Sequence, residues 1–157
     1  MTKRRHLLLA GFTLTPLAAA LLSACKPKGN WPEGMKPITW DRDTCAQCSM
    51  AISDRRFAAE ICGGKNDTAF KFDDIGCAMT WQRDKASQHP WMTEPATRIW
   101  VADVASKGND VIWLDARSAH YLSKTSPMGY NFGASSLPQA GAVDFQTMRE
   151  HVLTQEP

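Results

Sequence analysis

Apolar and other positions alternate most clearly at residues 56–62, where Phe57, Ala59 and Ile61 point one way and Ala58, Glu60 and Cys62 the other. A period of two is that of a strand. Gly63-Gly64-Lys65-Asn66-Asp67 supplies a turn and Thr68 to Phe72 a second strand, so 56–72 predicts a β-hairpin. The period then changes. Asp73 or Asp74 can cap a helix running to about Lys85, with Ile75, Ala78 and Met79 on its inner face. Residues 87–95 read as loop. A second hairpin is predicted from 98–104 and 110–114 across Ser106-Lys107-Gly108-Asn109, followed by a short strand near 120–122. The Gly-, Ser- and Pro-rich stretch 126–138 predicts loop, and Asp144 opens a C-terminal helix through Val152. Strands and helices gather in clusters, which predicts one α+β domain over 38–157.

The first two dozen residues follow another pattern. Lys3, Arg4 and Arg5 precede an apolar run from Leu7 to Leu22 that ends in Leu22-Ser23-Ala24-Cys25. A charged start, an apolar stretch and a small-residue processing site over 1–24 predict a secretory signal. With Pro16 inside it, the run is short for a membrane span of about 20 residues. Leu22-Ser23-Ala24-Cys25 resembles the lipobox of bacterial lipoproteins, which makes Cys25 the acylated N-terminus and predicts an anchor in membrane lipid. Thr2-Lys3-Arg4-Arg5-His6-Leu7-Leu8 also suits a twin-arginine export signal, with Sec export the alternative. Lys26, rather than Asp, after the acylated cysteine leans toward the outer membrane. Residues 25–37, with Pro27, Gly29, Pro32 and Gly34, then read as a tether. Trp31 and Trp40 flank it and suit a membrane interface, whereas Trp100 and Trp113 are predicted core.

Removing 1–24 changes the charge. The full chain counts 18 basic and 16 acidic residues, but three of the basic ones leave with the signal, so the formal net charge falls from +2 to −1. The basic balance belongs to export, and a nucleic-acid partner is excluded on that ground.

The candidate chemistry is sulfur. In Asp43-Thr44-Cys45-Ala46-Gln47-Cys48-Ser49-Met50-Ala51-Ile52, an extended stretch puts Cys48 and Met50 on one face. A thiolate beside a thioether suits Cu(I) rather than harder ions. A third soft donor is available at Met128, in the turn Thr125-Ser126-Pro127-Met128-Gly129-Tyr130. Core filler is the competing role for that methionine. Cys45, off the Cys48 face in a plain strand, and His120, just before the turn, rank behind as donors. Cys62 and Cys77 read as a core or structural pair. His89 and His151 are singletons.

Cys45-x-x-Cys48-x-Met50, followed by a hairpin, a helix and Ser126-Pro127-Met128-Gly129, resembles the NosL family of lipoproteins, copper chaperones for nitrous oxide reductase. The resemblance covers the lipobox and most of the mature chain, closest from Asp41 through Phe132. It implies Cu(I) binding at Cys48, Met50 and Met128, no enzymatic activity, delivery of copper on the periplasmic side of a membrane, and two related ββαβ modules like those of organomercurial lyase. The family usually has glycine where this chain has Ser49. Because a Cβ disfavours positive φ, the backbone at 49 is predicted to be more extended than in the family.

Two other classes compete. Four thiols outside the cytoplasm suggest disulfides, and Cys45–Cys48 as a redox pair would make the chain a thiol–disulfide oxidoreductase. Against that, Cys-x-x-Cys here leads into a hairpin rather than opening a helix. A lipoprotein with a purely structural role would retain no metal. A four-cysteine zinc site lacks the second close pair, and no phosphate loop, dinucleotide fingerprint or His-Glu-x-x-His motif is present.

Overall fold

The computed structural model describes residues 29–155; the signal segment and Cys25 lie outside the described residues. No helix among the described residues is long and apolar enough to cross a membrane. The strands are β1 (Ala59–Gly63), β2 (Thr68–Phe72), β3 (Arg98–Ala102), β4 (Trp113–Asp115), β5 (His120–Ser123) and β6 (Phe132–Ser135). The helices are α1 (Ile75–Lys85) and α2 (Phe145–Thr154), with a 3-10 turn at Pro90–Thr93. The architecture is α+β, as the clustering of elements predicts.

The predicted first hairpin forms between β1 and β2, with Ile61 opposite Phe70 and Ala59 opposite Phe72. β1 is central in a four-stranded antiparallel sheet of order β2-β1-β3-β4, and β5 and β6 make a separate pair. β6 falls inside the stretch expected as loop; small residues such as Gly133 and Ala134 hid it by leaving no apolar alternation. Strand–strand–helix occurs twice, as β1-β2-α1 and β5-β6-α2. A fourth element, β3, follows only the first set among the described residues.

The two faces of the main sheet are dissimilar. Ala59, Ile61, Phe72, Ile99 and Val101 face α1 and build the core with Ile75, Ala78 and Met79. The opposite face carries Glu60, paired across strands with Lys71 and with Trp100. The segment before the sheet covers it. The Lys36 N–H donates to Glu60 Oε1 (2.8 Å), and Lys71 Nζ donates to the Pro37 carbonyl (2.6 Å). Met35 and Ile38 are buried. The stretch expected as tether is therefore packed from Trp31 onward, and Trp31, Trp40 and Trp113 stack with ring centroids 5.6–6.4 Å apart.

Glu60 is fully buried, and its Oε2 finds no partner. Burial pushes its carboxyl from 4.5 up to about 7. A carboxyl raised on folding contributes stability that is complete below its unfolded value and is lost as pH rises from 4.5 through 7. Glu60→Gln should flatten that slope. At pH 8 it should stabilise by at most roughly 3 kcal/mol, less the cost of an imperfectly partnered amide. Denaturant midpoints at pH 5 and pH 8 check this; a variant as pH-sensitive as the parent would refute it.

Candidate metal centre

The Cys45–Met50 segment is a closed loop, not an extended stretch. The Cys45 N–H donates to the Met50 carbonyl (2.8 Å), and the Ser49 N–H donates to the Cys45 carbonyl (2.9 Å). Thr44 and Ala51 bridge at its base. This double closure drives Ser49 to φ 63°, the left-handed region, against the extended conformation expected from its Cβ. Serine takes the backbone that glycine adopts at no steric cost. Ser49→Gly should therefore raise stability by about 0.5 kcal/mol, the relieved strain minus glycine's extra unfolded freedom. A fall in the denaturant midpoint would count against it.

The loop is held to the edge of β2. The Ala46 N–H donates to the Lys71 carbonyl (2.9 Å), and Lys71 Nζ donates to Asp43 Oδ2 (2.7 Å). Lys71 thus ties the loop to the sheet at both backbone and side chain.

The N-terminus of α1 gathers the remaining parts. Asp74, the N-cap, accepts from the Gly76 N–H (2.8 Å), and its other oxygen accepts from Ser126 Oγ (2.5 Å) and the Met128 N–H (3.3 Å). One carboxylate therefore starts the helix and grips the Met128 turn. Ser126 Oγ in turn accepts from the Asn131 N–H (3.0 Å), and the Gly129 N–H closes on the Ser126 carbonyl (3.1 Å). Asp73, one residue earlier, accepts from Cys48 Sγ at 3.5 Å. Cys77, in the first turn of α1, reaches Cys45. The sulfurs of Cys45, Cys48 and Cys77 and a carboxylate oxygen of Asp73 all lie within 4.8 Å of one another. Metal–sulfur bonds of about 2.3 Å span separations of that order.

The thiols differ in acidity. Cys45 is lowered to about 7 because Cys77 donates to it, with burial opposing. Cys77 is raised correspondingly, by that same hydrogen bond and then by burial. The two titrate together, Cys77 as the hydrogen-bond donor and Cys45 as the more acidic thiol. Cys48 is pushed up to about 11, chiefly by burial.

Exposure separates the methionines. Met35, Met79, Met92 and Met148 are buried, whereas Met50 is 58% and Met128 37% exposed. Core filler, the competing role for Met128, does not fit a side chain that open to solvent.

Two sequence expectations need correction. Cys45 is not off to one side of Cys48; the loop folds it into the same cluster, though buried beneath it. Cys62 and Cys77 are buried, as a core role requires, but do not pair with each other: all four described cysteines are free. Cys62 sits on the sheet face opposite α1, near Glu60 and Arg98. His120 begins β5 opposite Ser135 and is no part of the cluster. Sequence reasoning missed Asp73 and Cys77 as neighbours of Cys48, and Asp74 as the clamp on Met128. The run Phe72-Asp73-Asp74-Ile75-Gly76-Cys77 carried the signal, since a helix starting there puts Cys77 in its first turn.

The NosL family model matches residues 37–150. No curated protein sequence gives a significant match. Among solved structures, the chain is similar to the crystal structure of the copper chaperone NosL from Shewanella denitrificans, with 17% identity and a TM-score of 0.52. The match covers 76% of this chain and 88% of that one.

Proposed function

Because the chain belongs to the NosL family, we propose that it is a chaperone for copper, carried as Cu(I) by the Cys48 thiolate and the Met50 and Met128 thioethers. The observation that carries this reading is the exposure of Met50 and Met128 while Met35, Met79, Met92 and Met148 are buried. Both stand in segments bound to the N-terminus of α1, Met50 two residues after Cys48 and Met128 through Asp74. Thioethers are neutral at every pH and suit a soft monovalent ion. Three donors leave an open edge. An acceptor's own sulfur or nitrogen donors enter there before the chaperone's leave, so copper passes by ligand exchange without release to water.

The remaining parts of the proposal rest on sequence. Cys25, acylated after removal of 1–24, anchors the chain on the periplasmic side of a bacterial membrane, with the outer membrane favoured, and nitrous oxide reductase receives the copper. The chain performs no catalysis. The NosL solved in Shewanella denitrificans is a copper chaperone by its title, which supports the cargo.

One observation favours the redox alternative, the acidity of Cys45. A disulfide-exchanging nucleophile has to be reached by its partner, and Cys45 is 2% exposed while the more accessible Cys48 holds its proton. The test is an anaerobic Cu(I) competition titration against a chromophoric chelator. Met50→Ala and Met128→Ala should each weaken binding by about tenfold, close to 1.4 kcal/mol, with unchanged far-UV circular dichroism. Parental affinity in both variants, together with rapid insulin reduction by the parent, would replace the chaperone with the oxidoreductase.

A further inference from the structure

We propose that the tryptophan cluster of Trp31, Trp40 and Trp113, which lies over the sheet face opposite α1, is a membrane-docking surface, and that its partner is the phospholipid interface. The proposal rests on the reading of Cys25 as an acylated anchor.

Trp113 is opposite Ala102 in the β3–β4 pair, on the Trp100 and Glu60 side of the sheet. Trp31 and Trp40 stack on it, all three half-buried, and the Arg55 guanidinium lies 4.9 Å from the Trp40 ring centre. Half-exposed indoles beside a cation suit the headgroup level, where an apolar body and a polar edge are both satisfied. Asp41, 3.7 Å from Arg55, offsets part of that charge, so the aromatic groups dominate.

Chain length says what covers this face. Trp31 follows Cys25 by six residues, and a fully extended chain spans about 3.5 Å per residue. An acyl chain on Cys25 therefore keeps Trp31 within about 21 Å of the lipid, however the linker runs. A docked face restricts the domain to one orientation.

The two faces carry separate tryptophans, which makes orientation measurable. Trp81 and Trp91 pack with Phe70 on the α1 side. The acylated chain is bound to vesicles of phosphatidylethanolamine and phosphatidylglycerol with brominated acyl chains, which quench tryptophans at the interface. The variants Trp31→Phe, Trp40→Phe, Trp113→Phe, Trp81→Phe and Trp91→Phe are read one at a time. The quenched share of emission should fall in the first three and stay or rise in the last two. Quenching lost instead in Trp81→Phe or Trp91→Phe, or no quenching of the vesicle-bound parent, overturns the proposal. If the chain does not stay with vesicles, the anchor reading fails. The unacylated Cys25→Ser chain at high lipid concentration then reads the face directly: quenching through Trp31, Trp40 and Trp113 sustains the docking surface, and its absence refutes it.

Discussion

Replacing Cys48 by serine is expected to lower Cu(I) affinity by about a thousandfold, close to 4 kcal/mol, the largest loss of any single change in the site. The substitution removes the one anionic donor of the three proposed and leaves a hydroxyl, a hard donor, in its place. The other thiols do not take over. Cys45 and Cys77 are 2% and 1% exposed and hydrogen-bond to each other, so an ion entering from solvent meets the Cys48 position first. Acidity adds a second signature. Cys48 holds its proton to about pH 11, so each Cu(I) that binds displaces one proton over the neutral range. Parental affinity should rise about tenfold per pH unit between pH 6 and 9, with Asp73, which accepts from Cys48 Sγ, beside the departing proton. The serine variant should lose that slope. Competition titrations across this range measure both effects, and a serine variant within tenfold of the parent would remove Cys48 from the site.

Much of the frame was legible before any coordinates, for physical reasons that can be named. β2 lies where the strand after the Gly63–Asp67 turn is predicted, and α1 starts one residue after Asp74, whose side chain caps it as its residue type suggests. Asp144 caps α2 in the same way, accepting from the Thr147 N–H. Local chemistry decides these elements, and local sequence reports it. β6 was invisible because Phe132-Gly133-Ala134-Ser135 offers no alternation; its strand is imposed by β5 and by the Val104 N–H donating to the Ala134 carbonyl. The site divides along the same line. Cys48, Met50 and Met128 are expectations from residue type and family pattern, whereas Asp73 and Cys77 lie 25 and 29 positions from Cys48 and meet it only after the hairpin folds back. Ser49 shows the limit most sharply. Its intrinsic preference is against positive φ, yet two backbone hydrogen bonds closing on Cys45 override a cost of about 1 kcal/mol.

A glycine in the first turn of α1 sets the second large effect, and its sign runs against helix propensity. Alanine normally stabilises a helix interior by about 1 kcal/mol relative to glycine. At Gly76, however, an added Cβ would fall inside the Tyr130 ring and 2.5 Å from the Tyr130 Cβ. No rotamer of the ring relieves a clash that reaches its own Cβ, so the Tyr130 backbone has to move. Tyr130 is two residues from Met128, and its hydroxyl is 3.3 Å from Thr80 Oγ. The Asp74 that receives the Gly76 N–H also receives the Met128 N–H. Gly76→Ala should therefore cost about 2 kcal/mol of stability through overpacking and also weaken Cu(I) binding by about tenfold, the effect expected of losing Met128 alone. The cause is isolated by a second change. In a Tyr130→Gly background the obstructing atoms are gone, and Gly76→Ala should then stabilise by up to about 1 kcal/mol, as propensity alone requires. A double-mutant cycle in denaturant reads this reversal of sign. Gly76→Ala destabilising equally in both backgrounds would place the cost in the helix itself, and would break the proposed link between the start of α1 and the position of Met128.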